Sequence, residues 1–183
     1  MQIRKVGVGA VMVALLVAGA ASAQEKVEKE RAELNARSQE TLQDLFMQVE
    51  GSKALYDKAT GYAVFATTKA GFIVTGGGGS GITVDKASGK TVFMKMGMGG
   101  VGLGIGAQRY DMVILFETAA RLQTFIDGGW DSTAAVKAVA GRDSANLASG
   151  FIDGTIIYTL GEKGLMASAD VSGTRFWVDE DLN

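Results

Sequence analysis

The chain has no cysteine, no histidine and no proline among its 183 residues. Without cysteine there are no disulfides, so an exported protein of this kind must rely on its core. A chain of this length can do so, burying roughly 70% of its unfolded surface. Without histidine and cysteine most transition-metal sites are lost. The Ser-His-Asp and Cys-His nucleophile systems are lost with them. The absence of proline excludes collagen and proline-rich linkers. Positive charge is also short, with 18 Lys and Arg against 20 Asp and Glu. Nucleic acid draws a clearly basic domain, so it is not an expected partner. No metal, no cofactor and no catalytic constellation is expected.

Long apolar runs are scarce, and the one present lies at the N-terminus. Arg4 and Lys5 precede an uncharged apolar stretch from Val6 to Ala20, followed by Ala21-Ser22-Ala23. This is the three-part layout of a secretory signal peptide with an A-x-A cleavage site. The stretch is short of the roughly 20 apolar residues a membrane span needs. Residues 1–23 are therefore expected to be removed, leaving a mature chain from Gln24. Its balance is 16 basic against 20 acidic residues. A periplasmic or secreted location follows.

What the chain has in quantity is glycine, 26 residues of it. Mixed with Val, Ile, Phe and Met, it points to tightly packed strands and turns. Residues 24–57 are rich in Glu, Lys, Ala, Leu and Gln, which favour helix. Leu42, Leu45, Phe46 and Val49 share one face at i, i+3, i+4, i+7 spacing. The first half of this segment carries only Val27 and Leu34 as large apolar residues and is expected to be a solvated or frayed extension. Gly51 fits a helix stop. After Thr60 the period becomes two. GYAVFAT and AGFIVTG read as separate strands, and GGGGSG (76–81) as a turn or loop. ITVDKASGKTVFMKM reads as strand, turn, strand. YDMVILFE reads as a strand, and TAARLQTFIDGG as a short helix capped by Thr118. WDSTAAVKAVAGR is ambiguous. GTIIYTLG, GLMASADVSG and TRFWVDE close the chain as strands. The expected fold class is α+β: a mainly antiparallel β-sheet or barrel-like body (58–183), an N-terminal amphipathic helix (24–57), and one or two short inserted helices.

Residues 97–107, GMGGVGLGIGA, contain a match to G-x-G-x-x-G, with Glu117 after the apolar run that follows. A dinucleotide fingerprint opens a helix, whose N-terminus holds the pyrophosphate. Only Leu103 to Asp111 separate the last fingerprint glycine from the next apolar strand. A crossover between parallel strands takes a dozen or more residues. No nucleotide is expected. Gly89-Lys90-Thr91 fails as a P-loop, since Val84 stands where its first glycine belongs. From Gly100 to Gly106 glycine alternates with Val101, Leu103 and Ile105. As a strand this would have one apolar face and one bare face of Gly100, Gly102, Gly104 and Gly106. The bare face suits close packing in the core or a lipid chain.

KAGFIVTGGGGSG (69–81), GLGIGAQRYDMVILF (102–116), the GW pair at 129–130 and KGLMASADVSGTRFWVDED (163–181) together resemble the SYLF family of lipid-binding domains. Fungal and animal members of that family are also described as actin-binding. The resemblance runs from Gly61 to the C-terminus. Two departures stand out: Ala66 follows Phe65 where the family often has proline, and GGGGSG lacks the family's acidic or aromatic residue. The resemblance implies binding to phospholipid membranes, phosphoinositides in eukaryotic members, with help from an N-terminal amphipathic segment. Actin falls away for a bacterial envelope protein.

The expected function is thus a non-catalytic, exported lipid-binding or membrane-associating module. Phe46, Lys69, Lys95, Arg109 and Lys163 are the candidate membrane contacts. The alternative is a structural or protein-binding envelope component with no lipid ligand. A hydrolase would need two Asp or Glu carboxylates converging in a pocket, and no pair is singled out.

Overall fold

The computed structural model describes residues 8–71, 74–101, 106–128, 150–161, 164–165 and 174–183. The long helix α1 (Val8–Gln48) is followed by α2 (Ser52–Lys58) and four strands, β1 (Gly61–Gly71), β2 (Val74–Asp85), β3 (Thr91–Val101) and β4 (Gly106–Phe116). After helix α3 (Ala119–Ile126) come β5 (Thr155–Gly161), β6 (Gly164–Leu165) and β7 (Thr174–Val178). The strands form one antiparallel sheet in the order β6-β5-β4-β1-β2-β3-β7. The expected α+β class is the observed one.

Helices cover both sheet faces. On one face, Ala63, Phe65, Met94, Met96, Met112, Ile114, Phe116 and Phe176 pack with Leu122 and Phe125 of α3. Phe125 lies 5.0 Å from Phe116 and 4.9 Å from Phe176 between ring centroids. Phe65 and Phe176 meet at 5.0 Å although β2 and β3 separate their strands. Three strand spacings measure about 14 Å in a flat sheet, so the sheet curls toward α3. On the opposite face, Leu42, Leu45 and Val49 of α1 and Leu55 of α2 cover Tyr62, Val64, Val113, Leu115, Ile156 and Tyr158. Fully burying a side chain of this size contributes about 1.5–3 kcal/mol.

The first half of the N-terminal segment is not a free extension. Val27 and Leu34 pack on Ile82, Phe93 and Leu182. Arg31 donates from Nε to the Leu182 carbonyl at 2.8 Å and lies over the Phe93 ring. Two widely spaced apolar residues suffice because the C-terminal segment comes back to meet them. Gly51, at φ 80°, ends α1 and turns the chain into α2. Ser52 closes the end of α1 by donating to the Val49 and Leu45 carbonyls. Lys86 closes α2 by donating to the carbonyls of Tyr56, Asp57 and Ala59 at 2.6, 3.2 and 3.0 Å. A lysine suits the negative end of a helix.

Two strand readings change. GYAVFAT and the start of AGFIVTG belong to the single strand β1, and GGGGSG is the interior of β2 rather than a loop. Each glycine keeps its backbone partners, which are all a ladder requires. The space it leaves is filled from β3. Met94, Met96 and Met98 stand opposite Gly81, Gly79 and Gly77. Thr83, Thr67 and the Tyr110 hydroxyl donate to their sulfurs at 3.0, 3.3 and 3.2 Å. Thr67 sits on β1 and Tyr110 on β4, so the methionines reach across the glycine strip.

The run 100–106 is also not one strand. β3 ends at Val101 and β4 begins at Gly106, with β1 and β2 between them in the sheet. β3 and β4 run in opposite directions, whereas a dinucleotide fingerprint joins parallel strands. The helix expected from TAARLQTFIDGG is α3, and Thr118 caps it by accepting from Arg121 N at 3.3 Å. WDSTAAVKAVAGR lies outside the described residues.

Candidate functional site

Direct cross-strand partners share a sheet face. On the α1 face one row reads Leu160, Asp111, Ala66, Ser80, Lys95, Trp177. This row marks the edge of the helix footprint. Arg37 of α1 holds both oxygens of Asp111 at 3.0 Å, and Thr41 donates to Oδ2 at 3.2 Å. At the far end of the row Lys95 Nζ meets Asp179 at 2.8 Å and Asp181 at 3.6 Å. The hydrogen bond to the Asp179 carboxylate holds the Lys95 ammonium above the usual lysine range.

The next row reads Arg109, Thr68, Gly78, Gly97, Arg175. Here α1 no longer covers the sheet. Arg109, Thr68 and Arg175 are exposed. Gly76 and Gly99 continue the floor one row further, and a Cβ at either would meet nothing within 4 Å. The Trp177 ring lies over Gly97, with its atoms 3.1 and 3.3 Å from where a Cβ would stand. Trp177 is 46% exposed. It rests on a surface that glycine leaves vacant and turns its other side outward. Neither Arg109 nor Arg175 has an ion-pair partner among the described residues.

The residues expected from sequence do not assemble into one site. Arg109 lies on this bare sheet end. Lys95 borders it but is engaged by Asp179. Phe46 sits elsewhere, at the α1–α2 corner, with its ring 5.2 Å from Tyr56 and Lys53 over it at 5.7 Å. In that corner burial raises the pKa of both Tyr56 and Tyr62. Lys69 stands in β1 opposite Gly77 and Gln108. Gly100 faces Thr75 and Gly106 faces Gly71. Lys163, Gly102 and Gly104 lie outside the described residues. Among the residues whose exposure is described, the glycines that this sheet end presents to solvent are Gly76 and Gly99, joined by half-covered Gly78 and Gly97.

Trp177 and Arg175 were missed by sequence reasoning. The signal was present in TRFWV. Thr174 and Phe176 are buried while Arg175 and Trp177 are exposed, which is strict alternation. No group of three or more Asp or Glu able to hold a metal occurs among the described residues.

The fold and this surface define an α+β domain: one curled antiparallel sheet, clamped by a long helix that leaves one sheet end open. The family model Ysc84, described as "Las17-binding protein actin regulator", matches residues 97–183. "Beta cell expansion factor A" of Aeromonas veronii is 41% identical over 152 residues, covering 83% of this chain and 58% of that protein. "SH3 domain-containing YSC84-like protein 1" of Xenopus laevis is 38% identical over 76 residues, covering 39% of this chain and 23% of that protein. The chain is similar to the SYLF domain family, which the family-model match and the two relatives support. It thus spans little more than half the length of the bacterial relative and under a quarter of the frog one. The family description and the relatives' names are not enzyme names.

Proposed function

We propose that this chain is an exported, non-catalytic module of the bacterial envelope that associates with phospholipid membranes. The observation that carries this reading is Trp177, exposed over Gly97 on the glycine-rich sheet end that also presents Arg109 and Arg175. Tryptophan favours the membrane–water boundary because its ring is apolar and its N–H is polar. Among the described residues no helix is long and apolar enough to cross a membrane. The apolar stripe of α1 is spent on the sheet, so surface contact fits this arrangement better than helix insertion. Export rests on the leader pattern of residues 1–23, and it would separate this chain from the actin named in the family description.

Vesicle flotation with purified protein tests the reading. Wild-type protein is expected to float with phospholipid vesicles, and Trp177→Ala to bind about fivefold more weakly, which corresponds to burial of about half an aromatic ring. Failure to float with both anionic and zwitterionic vesicles refutes it. Mass determination of the secreted protein tests export, with a mature N-terminus at Gln24 expected.

A further inference from the structure

We propose that the open sheet end of one chain docks the outer face of α1 from a second copy, so that copies join head to tail. The contact needs no lipid and does not rest on the membrane reading. A copy seated there covers Trp177, so the two contacts alternate on one face.

The outer face of α1 is the first support. Glu33, Ala36, Glu40, Asp44 and Met47 recur at three- and four-residue spacing and are all exposed. That spacing puts them on one side of the helix. Leu42, Leu45 and Val49 occupy the other side, against the sheet. Met47 is 77% exposed, and it and Trp177 are the large exposed hydrophobic residues among those described. Each gains by covering the other, and a thioether against an aromatic ring is a favourable pair.

Charge complementarity is the second. Glu40 and Asp44 have no ion-pair partner among the described residues, and Glu33 has Lys29 at 3.8 Å. Between Glu33 and Met47 the one base is Arg37, which Asp111 already engages. The sheet end is the converse. Asp111 and Asp179 are taken by Arg37 and Lys95, while Arg109 and Arg175 are exposed and have no ion-pair partner among the described residues.

Spacing is the third. Arg109 and Arg175 stand at the two ends of one row, across β4, β1, β2, β3 and β7. Four strand spacings come to about 19 Å. Glu33 and Asp44, eleven residues apart, span about 17 Å along a helix. A helix laid along the row thus sets one acid at each arginine, with Met47 at the Trp177 end. Ala36 and Glu40 pass over Gly78 and Gly97, where glycine lets a helix come close. The sheet already carries its own α1 across the strands, from Val27 and Leu34 beside Phe93 to Leu42 and Leu45 beside Val113 and Tyr158. The docked helix would lie antiparallel beside it. Because the two surfaces differ, each added copy offers a new sheet end.

The test is sedimentation velocity of the purified protein without lipid, at concentrations up to about 1 mM, the weak end of specific affinity. Wild type is expected to self-associate, to grow past a dimer as concentration rises, and to dissociate with added salt. Met47→Ala keeps the helix and its charges and is expected to weaken association about fivefold. Each exposed ion pair is worth up to about fivefold. Arg109→Glu/Arg175→Glu spoils the sheet end, and Glu33→Lys/Asp44→Lys spoils the helix face. Each double variant is expected to associate at least about tenfold more weakly than wild type. Mixed in equal amounts, the two should associate again, since each supplies the charge the other lacks, and that recovery also shows both to be folded. A wild type that stays monomeric overturns the proposal. So does a closed dimer that grows no further, or a mixture no larger than its components. Self-association by a protein that ignores vesicles sinks the membrane reading alone, and vesicle binding by a chain that stays monomeric sinks this proposal alone.

Discussion

Replacing Tyr158 with phenylalanine is expected to stabilise the protein. Tyr158 lies on β5 beneath α1 and is fully buried. Its hydroxyl has no hydrogen-bond partner among the described residues. A buried hydroxyl without a partner costs about 1–3 kcal/mol relative to one that is satisfied. Phenylalanine keeps the ring and removes that cost, so Tyr158→Phe should gain about 1 kcal/mol at neutral pH. The pH dependence sharpens the test. Burial pushes the Tyr158 pKa from 10.0 up to about 12. In the unfolded chain the phenol ionises near its ordinary value, while the folded chain keeps it neutral for about two further units. The folded state therefore binds more protons in this window, and stability falls as pH rises from about 10 to about 12. Below pH 10 the contribution is fully present. At about 1.4 kcal/mol per pH unit, the loss approaches 3 kcal/mol. Urea unfolding of both proteins at pH 7, 10 and 11.5 measures the difference. Tyrosines 56 and 62 and Lys95 titrate alike in both proteins and cancel. A Phe variant less stable at pH 7, or a stability difference flat from pH 7 to 11.5, refutes the account.

Gly81→Ala is expected to cost about 3 kcal/mol or more, because its Cβ would collide with the Val64 carbonyl and the Phe65 ring. Gly99→Ala, where a Cβ meets nothing, should stay within about 0.5 kcal/mol. Equal costs in thermal melts would mean that crowding is not what keeps glycine at 81. Lys86→Ala removes the donor shared by three carbonyls at the end of α2 and should cost about 1–2 kcal/mol in urea unfolding. Lys86→Arg should restore part of that loss, whereas an unchanged midpoint in the alanine variant would show the contacts to be incidental.

Elements governed by local chemistry were legible in the sequence. Thr118 and the apolar spacing of Leu122 and Phe125 specify α3 without reference to the rest of the fold. The ITVD and TVFMKM runs, with ASG between them, specify a hairpin. Asp85 completes that turn by accepting from Ala87 and Ser88 N–H at 2.8 and 3.3 Å. Features that depend on distant partners were not legible. Nothing near Val27 or Leu34 announces that Leu182 will cover them, since that contact spans almost the whole chain. Arg31 likewise looks like solvated surface until the C-terminal carbonyl arrives. The candidate site divides in the same way. Arg109 could be named from position alone, but its row could not, because a row needs the register of five strands. Phe46 belonged to the right helical stripe but packs at a corner with Tyr56, far in sequence from the glycine strands.

The run GGGGSG shows why register matters for function as well as fold. Read alone, four consecutive glycines mean a loop, because they bring no side chain to pack and lose much entropy on ordering. Placed in β2, successive glycines face opposite sides and meet different needs. Gly77, Gly79 and Gly81 stand opposite Met98, Met96 and Met94, whose long flexible side chains fill the strip on the α3 face. Gly76 and Gly78 belong to the other face, beyond the reach of α1, beside Gly97 and Gly99 of β3. A side chain at 79 or 81 would push β2 away from β1; one at 76 or 99 would only project outward. Stability therefore constrains Gly79 and Gly81, and to a lesser degree Gly78, whose Cβ would stand 3.1 Å from the Met96 carbonyl. Gly76 is free of that demand, and glycine there needs another reason. A surface kept low so that a broad partner can approach the backbone between Arg109 and Arg175 supplies one. Bulky substitutions at Gly76 and Gly99 should then weaken vesicle binding while leaving the melting temperature unchanged, an outcome that a purely structural role for these glycines does not produce.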